Sequence, residues 1–134
     1  LQARWLDRLE KTADPIDALR EILRESVLAF ELGSAKATEI DFLATLIASV
    51  HPSDTSLHQA IMEIQQSWHR AVSEALERGQ RDQVVHAAIV AGDEAHFILS
   101  MILGFELQIK AMGAVATAGW LRSANAYLNT LRPA

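Results

Sequence analysis

Residues 95–109 read AHFILSMILGFELQI, and the way this stretch is covered decides the fold. An ordinary surface helix carries one apolar stripe and one charged face. Here Phe97, Ile98, Leu99, Met101, Ile102, Leu103, Phe105, Leu107 and Ile109 point in every direction around a helix, with only His96, Ser100, Glu106 and Gln108 as polar interruptions. Each apolar side chain gains about 1.5–3 kcal/mol on full burial, so leaving half of them wet is costly. The run from Phe97 to Phe105 is broken by Ser100 and Gly104 and followed by Glu106, well short of the roughly 20 apolar residues of a membrane span. Two kinds of cover remain: a central place inside one chain, or a partner.

The segment that follows has the same double character. Trp120, Ala124, Tyr127 and Leu131 lie along one side of a final helix, and Thr117, Leu121 and Leu128 along another. Its small residues, Ala116, Ala118, Gly119, Ser123 and Ala126, let another helix approach closely. Two such helices meeting their symmetry mates would make an isologous four-helix contact. The expected dimer contacts are Leu99, Ile102, Leu103, Glu106, Trp120, Ala124, Tyr127 and Leu131; which stripe faces the partner is left open.

Working back toward the N-terminus, every segment reads as helix. Leu1, Trp5 and Leu9 fall one turn apart, and Thr12-Ala13-Asp14-Pro15 stops one helix and starts the next. Asp14 can cap free N–H groups, and proline at the first helical position loses no needed hydrogen bond. Ile16, Leu19, Leu23, Val27 and Phe30 then form a stripe that Gly33 is expected to end, with Ser34 as the cap of a third helix running to about Ser49. His51-Pro52-Ser53-Asp54 reads as a turn. Leu57, Ile61, Ile64, Trp68, Ala71, Val72 and Ala75 repeat at the helical period up to Gly79. Residues 83–91 are ambiguous, with a short helix as one option, and Asp93 is expected to open the long helix to Met112. No stretch alternates with period two. The reading is a single all-α domain of about six helices over residues 1–134, the last two forming a dimeric four-helix bundle.

Composition narrows the function. Hydrophobic residues make up 50% and charged residues 22% of 134, a globular mixture. The absence of cysteine excludes disulfides, thiolate metal sites and cysteine nucleophiles, and fits a cytoplasmic setting. A formal charge of −5 argues against a nucleic-acid surface within these residues. The chain begins at Leu1 and not at a methionine, so further residues are expected upstream.

Four stretches resemble the C-terminal domain of tetracycline-repressor (TetR) family transcriptional regulators. Asp14-Pro15-Ile16-Asp17-Ala18-Leu19 resembles the family's entry into its ligand-domain helix, and Ala75-Leu76-Glu77-Arg78-Gly79-Gln80 the end of the long middle helix. Asp93-Glu94-Ala95, with Gly104 inside the apolar helix, resembles the first dimer helix, and Tyr127-Leu128-Asn129-Thr130-Leu131-Arg132-Pro133 the close of the second. Residues 83–92 are longer and more apolar than the family's usual polar loop, and Leu103 stands where many members carry an acidic residue. The resemblance implies a homodimer that binds a small, largely apolar effector. It assigns DNA contact to an N-terminal helix-turn-helix domain that residues 1–134 do not include, and implies neither catalysis nor membrane attachment.

Histidines invite a metal or catalytic reading. The five, His51, His58, His69, His86 and His96, include no pair at the three- or four-residue spacing that lets two imidazoles share a metal on one helix. No nucleophile elbow or phosphate loop is visible. No cofactor, metal site or enzymatic role is therefore expected. A mixed stripe on the middle helix, His58, Met62, Gln65 and His69, suits a pocket that is mostly apolar with a few convergent polar groups. Gln65 and His69 would orient a ligand, with Phe30, Phe42, Met62, Trp68, Phe97 and Met101 as walls and Thr45 and Ser100 as hydroxyls. A helical protein–protein interaction module without a small-molecule ligand is the alternative.

Overall fold

The computed structural model describes residues 4–31 and 39–134, with backbone alone at residues 31, 39–42 and 114. Among the described residues there are six α-helices and no strands: α1 (Arg4–Lys11), α2 (Pro15–Glu31), α3 (Glu39–Ser49), α4 (Thr55–Arg81), α5 (Ala91–Met112) and α6 (Thr117–Thr130). A 3-10 turn, Gly113–Ala116, joins the last two. Gly113 adopts φ 69°, the left-handed conformation that glycine takes without steric penalty at a helix end. The expected ends at Gly33 and Ser34 lie outside the described residues.

The junction before α2 folds as its chemistry dictates. Asp14 Oδ1 accepts from the N–H groups of Ile16 and Asp17 at 3.1 and 3.2 Å, and Pro15 is the first helical residue. α1 and α2 then bury Trp5, Leu6, Leu9, Ile16, Leu19, Ile22, Leu23 and Val27. Asp54 caps α4 by accepting from Leu57 N–H at 3.0 Å. Trp5 meets Trp68 edge-on at a ring separation of 5.1 Å, tying α1 to the middle of α4.

Three boundaries differ from the sequence reading. α4 runs through Gly79 to Arg81, because Gly79 is a point of close approach and not a helix end. A Cβ there would lie 2.4 Å from Val85 Cγ2 and 2.9 Å from Pro15 Cγ. Residues 82–90 form turns and not a short helix. The N–H groups of Val84 and Val85 both return to the Gly79 carbonyl, and the Gln80 side-chain amide donates to the carbonyls of His86 and Ile89. α5 opens at Ala91, two positions ahead of Asp93, with Val90 as its N-cap and no side-chain capping bond.

α4 and α5 run side by side in opposite directions and form the centre of a single compact domain. α6 closes the other side of α5, where Phe105 stacks on Trp120 at 3.9 Å. The chain end is clamped to the start of α2. Arg132 donates to Asp14 at 2.8 Å and to Asp17 at 2.8 Å, while His86 N–H donates to the Leu131 carbonyl at 2.7 Å. Burial acts to raise the Asp14 carboxyl pKa, but the hydrogen bonds from Arg132 and the backbone N–H groups outweigh it and hold it below its ordinary value.

The packing explains the apolar run that opened the sequence reading. Ile98, Ile102, Phe105 and Ile109 enter the core, Leu99 and Leu103 turn toward α4, and Phe97 and Leu107 stay about half exposed at 54% and 52%. By length and composition the whole of α5 would suffice to cross a bilayer; here seven of its 22 residues are buried against the rest of the chain.

Candidate functional site

A partly open cavity of about 1050 Å³ lies between α3, α4 and α5. The helical period builds it. On α4, Met62, Gln65, His69, Ser73 and Glu77 fall at three- and four-residue spacings and so share one side; on α5, His96, Leu99, Ser100 and Leu103 do the same. Ile47 of α3 and Val50 just after it complete the wall. Such a volume accommodates a drug-sized molecule.

The opposed directions of α4 and α5 separate the cavity into two ends. At one end Ile61 and Met62 lie with Leu103, Ile47 and Val50, and the lining is mostly apolar, His58 being the polar side chain among them. At the other end His69, Arg70, Ser73, Glu74 and Glu77 stand near the first turns of α5 and His96. His69 Nε2 lies 2.9 Å from the Gly92 carbonyl. A carbonyl only accepts, so Nε2 carries the proton, and Nδ1 faces away from that bond. The rings of His69 and His96 lie 4.1 Å apart, tilted by 32°. Ser73 Oγ is buried with no hydrogen-bond partner among the described residues, and the Ser100 hydroxyl donates to the His96 carbonyl at 2.8 Å.

The cavity brings together four of the expected ligand residues: Met62, Gln65, His69 and Ser100. Trp68 is 4% exposed and belongs to the core with Trp5. Its position, one residue before His69, turns it to the neighbouring side of α4. Met101 is half-buried and packs on the core. Phe97 stacks on Tyr127 at 4.6 Å on the outer side of α5. Phe30 is exposed, Thr45 accepts from Lys110 Nζ at 2.7 Å, and the side chain of Phe42 lies outside the described residues. Phe30, Thr45, Trp68, Phe97 and Met101 are thus not among the lining residues.

Further lining residues came from places where the sequence signal was read otherwise. Glu74 and Glu77 look like a solvated face, yet Glu77 continues the His58–His69 stripe by two turns and Glu74 follows Arg70 on the flanking row. Leu99 and Leu103, expected toward a partner, line this cavity. Ile102, Ala124 and Leu131 are buried at 2%, 1% and 1%, inside the chain's own core. Trp120 and Tyr127 are half-buried at the α5–α6 seam, and Glu106 is also half-buried. The Tyr127 hydroxyl donates to the Glu94 carboxylate, and burial together with that carboxylate raises the tyrosine pKa far above its ordinary value.

Among the described residues no group of three or more His, Asp or Glu side chains is placed to hold a metal. The cavity holds no nucleophile–base pair at hydrogen-bond distance among those residues. What its arrangement can do is enclose an elongated molecule, apolar at one end and hydrogen-bonded at the other. Comparison with protein-family models, curated proteins and solved structures returned no match.

Proposed function

We propose that this chain is the effector-binding, dimer-forming part of a TetR-like transcriptional regulator, with no catalytic role. The observation that carries the reading is the α3–α4–α5 cavity: a partly open cleft of drug-sized volume whose surface is mostly apolar and whose polar side chains gather chiefly at one end. Dimer formation is supported by the outer sides of the last two helices. Phe97, Gly104, Leu107 and Ala111 follow one another at seven-, three- and four-residue spacings on α5, and all are exposed or half-exposed. A Cβ at Gly104 would meet nothing within 4 Å, so a second helix can approach there. On α6 the outward residues Ala118, Gly119, Ser123 and Ala126 are small, and Val115 before them is 84% exposed.

In this reading the cavity and the dimer face lie on adjoining sides of α5, so occupancy of the cavity bears on how two copies meet. DNA contact falls to a helix-turn-helix outside these residues, and coupling of this type is worth about 1–3 kcal/mol. The test is thermal stabilisation of the chain by a panel of apolar and amphipathic small molecules. Stabilisation should be weakened by Gln65→Ala and abolished by Leu103→Trp, which fills the cavity. No stabilisation by any compound, or equal shifts in all three proteins, would overturn the effector reading.

A further inference from the structure

We infer that the cavity selects an amphiphile with an amine head; this rests on reading the cavity as the effector site. The enclosure itself makes the site, and its polar end sets the sign of the ligand. About 20 Å of helix separates Ile61 at the apolar end from Glu74 at the polar end, room for an extended chain or fused rings with a terminal head group. The fixed charges in the lining are one guanidinium, Arg70, and two carboxylates, Glu74 and Glu77. None of the three makes an ion pair among the described residues, and the carboxylates stand three residues apart, on one side of α4.

The uncharged groups at this end also favour a donor. His69 has its Nε2 proton engaged by the Gly92 carbonyl, so Nδ1 is the ring atom left to meet a ligand, and it accepts from a donor whenever it is unprotonated. Ser73 Oγ is buried without a partner one turn from His69 and beside Glu74. An ammonium has three donors and no acceptor, matching two carboxylates and an imidazole nitrogen; hydrogen bonds between ionised partners are the stronger kind. A carboxylate head would face two like charges here and gain one guanidinium. An alcohol would bring a single donor. The chain's formal charge of −5 adds a field of the same sign.

The experiment is calorimetric titration of the chain with decylamine, 1-decanol and decanoate at micromolar concentration, so that only the head group changes. Decylamine should bind one molecule per chain about tenfold more tightly than decanol, a difference of one charge-assisted hydrogen bond. Decanoate should bind most weakly. In the Glu74→Gln/Glu77→Gln double variant, decylamine should fall to the affinity of decanol while decanol is unchanged; both side chains are exposed, so the fold is retained. Leu103→Trp should abolish binding of all three. Equal binding of the three heads, or tightest binding of decanoate, would overturn the amine inference and leave the effector site standing. Decylamine binding that survives Leu103→Trp would place it on the acidic surface, also overturning the inference. Absence of binding by every member would remove the inference together with the site reading.

Discussion

Substituting alanine for Gly79 sets two effects of opposite sign against each other. In a helix interior, alanine is favoured over glycine by about 0.8–1 kcal/mol, so propensity alone predicts a stabilised protein. The packing predicts the reverse. The new Cβ would sit 2.4 Å from Val85 Cγ2, 2.9 Å from Pro15 Cγ and 3.3 Å from Pro15 Cδ. Carbon atoms rest about 3.5–4.0 Å apart, so the nearest overlap exceeds 1 Å. Neither neighbour can yield easily, since Val85 is 2% exposed and Pro15 is held by the Asp14 cap. Overpacking of this kind costs about 1–3 kcal/mol. Subtracting the propensity gain leaves a net loss of up to about 2 kcal/mol, a fall in Tm of up to roughly 8 °C for a domain of this length. Thermal melts followed by circular dichroism measure it. A double-mutant cycle with Val85→Ala isolates the clash: the pair should be more stable than the sum of the single losses by about 0.5–2 kcal/mol. An alanine variant as stable as the wild type, with no coupling to Val85, would refute the close-approach account.

Other perturbations follow from the same contacts. Arg132→Met removes the clamp on Asp14 and Asp17 and should lower stability by about 1–2 kcal/mol in urea titration, the pair being partly exposed to solvent. Because the Asp14 carboxyl is held below its ordinary value of 3.8, its contribution is present well above pH 3.8 and is lost as pH falls through the lower folded value. The gap between wild type and Arg132→Met should therefore close on acidification, and a gap that widened would contradict the clamp. Trp68→Ala should cost about 3–5 kcal/mol by opening the core against Trp5, measurable by chemical denaturation. Gly104→Ala places a methyl in open space and should raise the stability of the isolated fold by about 0.5–1 kcal/mol.

Helix identity was legible wherever one face is buried and the spacing is regular. The α4 stripe of Ile61, Trp68, Val72 and Ala75, and the Asp14-Pro15 start of α2, could be read directly because local chemistry decides them. Gly79 reads as a helix end in the sequence because its actual role, a close approach of Val85 and Pro15, comes from residues of other segments. The turns over 82–90 were ambiguous for a related cause: Gln80 and the distant Leu131 carbonyl hold them, and neither signals a turn in sequence. The site was legible along one helix and not across helices. Met62, Gln65 and His69 belong to the cavity because they share a side of α4, but no local rule separates the sides of α5. There every side is apolar, so Phe97 and Leu99 exchange the roles expected of them: Phe97 lies outward on Tyr127 and Leu99 lines the cavity.

Sedimentation equilibrium at micromolar concentration tests the central claim, a sensing domain that pairs through its last two helices, most directly. The account predicts twice the chain mass for the wild type and the single chain mass for Leu107→Asp/Val115→Asp, with the helical circular dichroism of the two unchanged because both side chains are exposed, at 52% and 84%. A wild-type chain that sediments as a monomer, or a dimer that survives both aspartates, would contradict it.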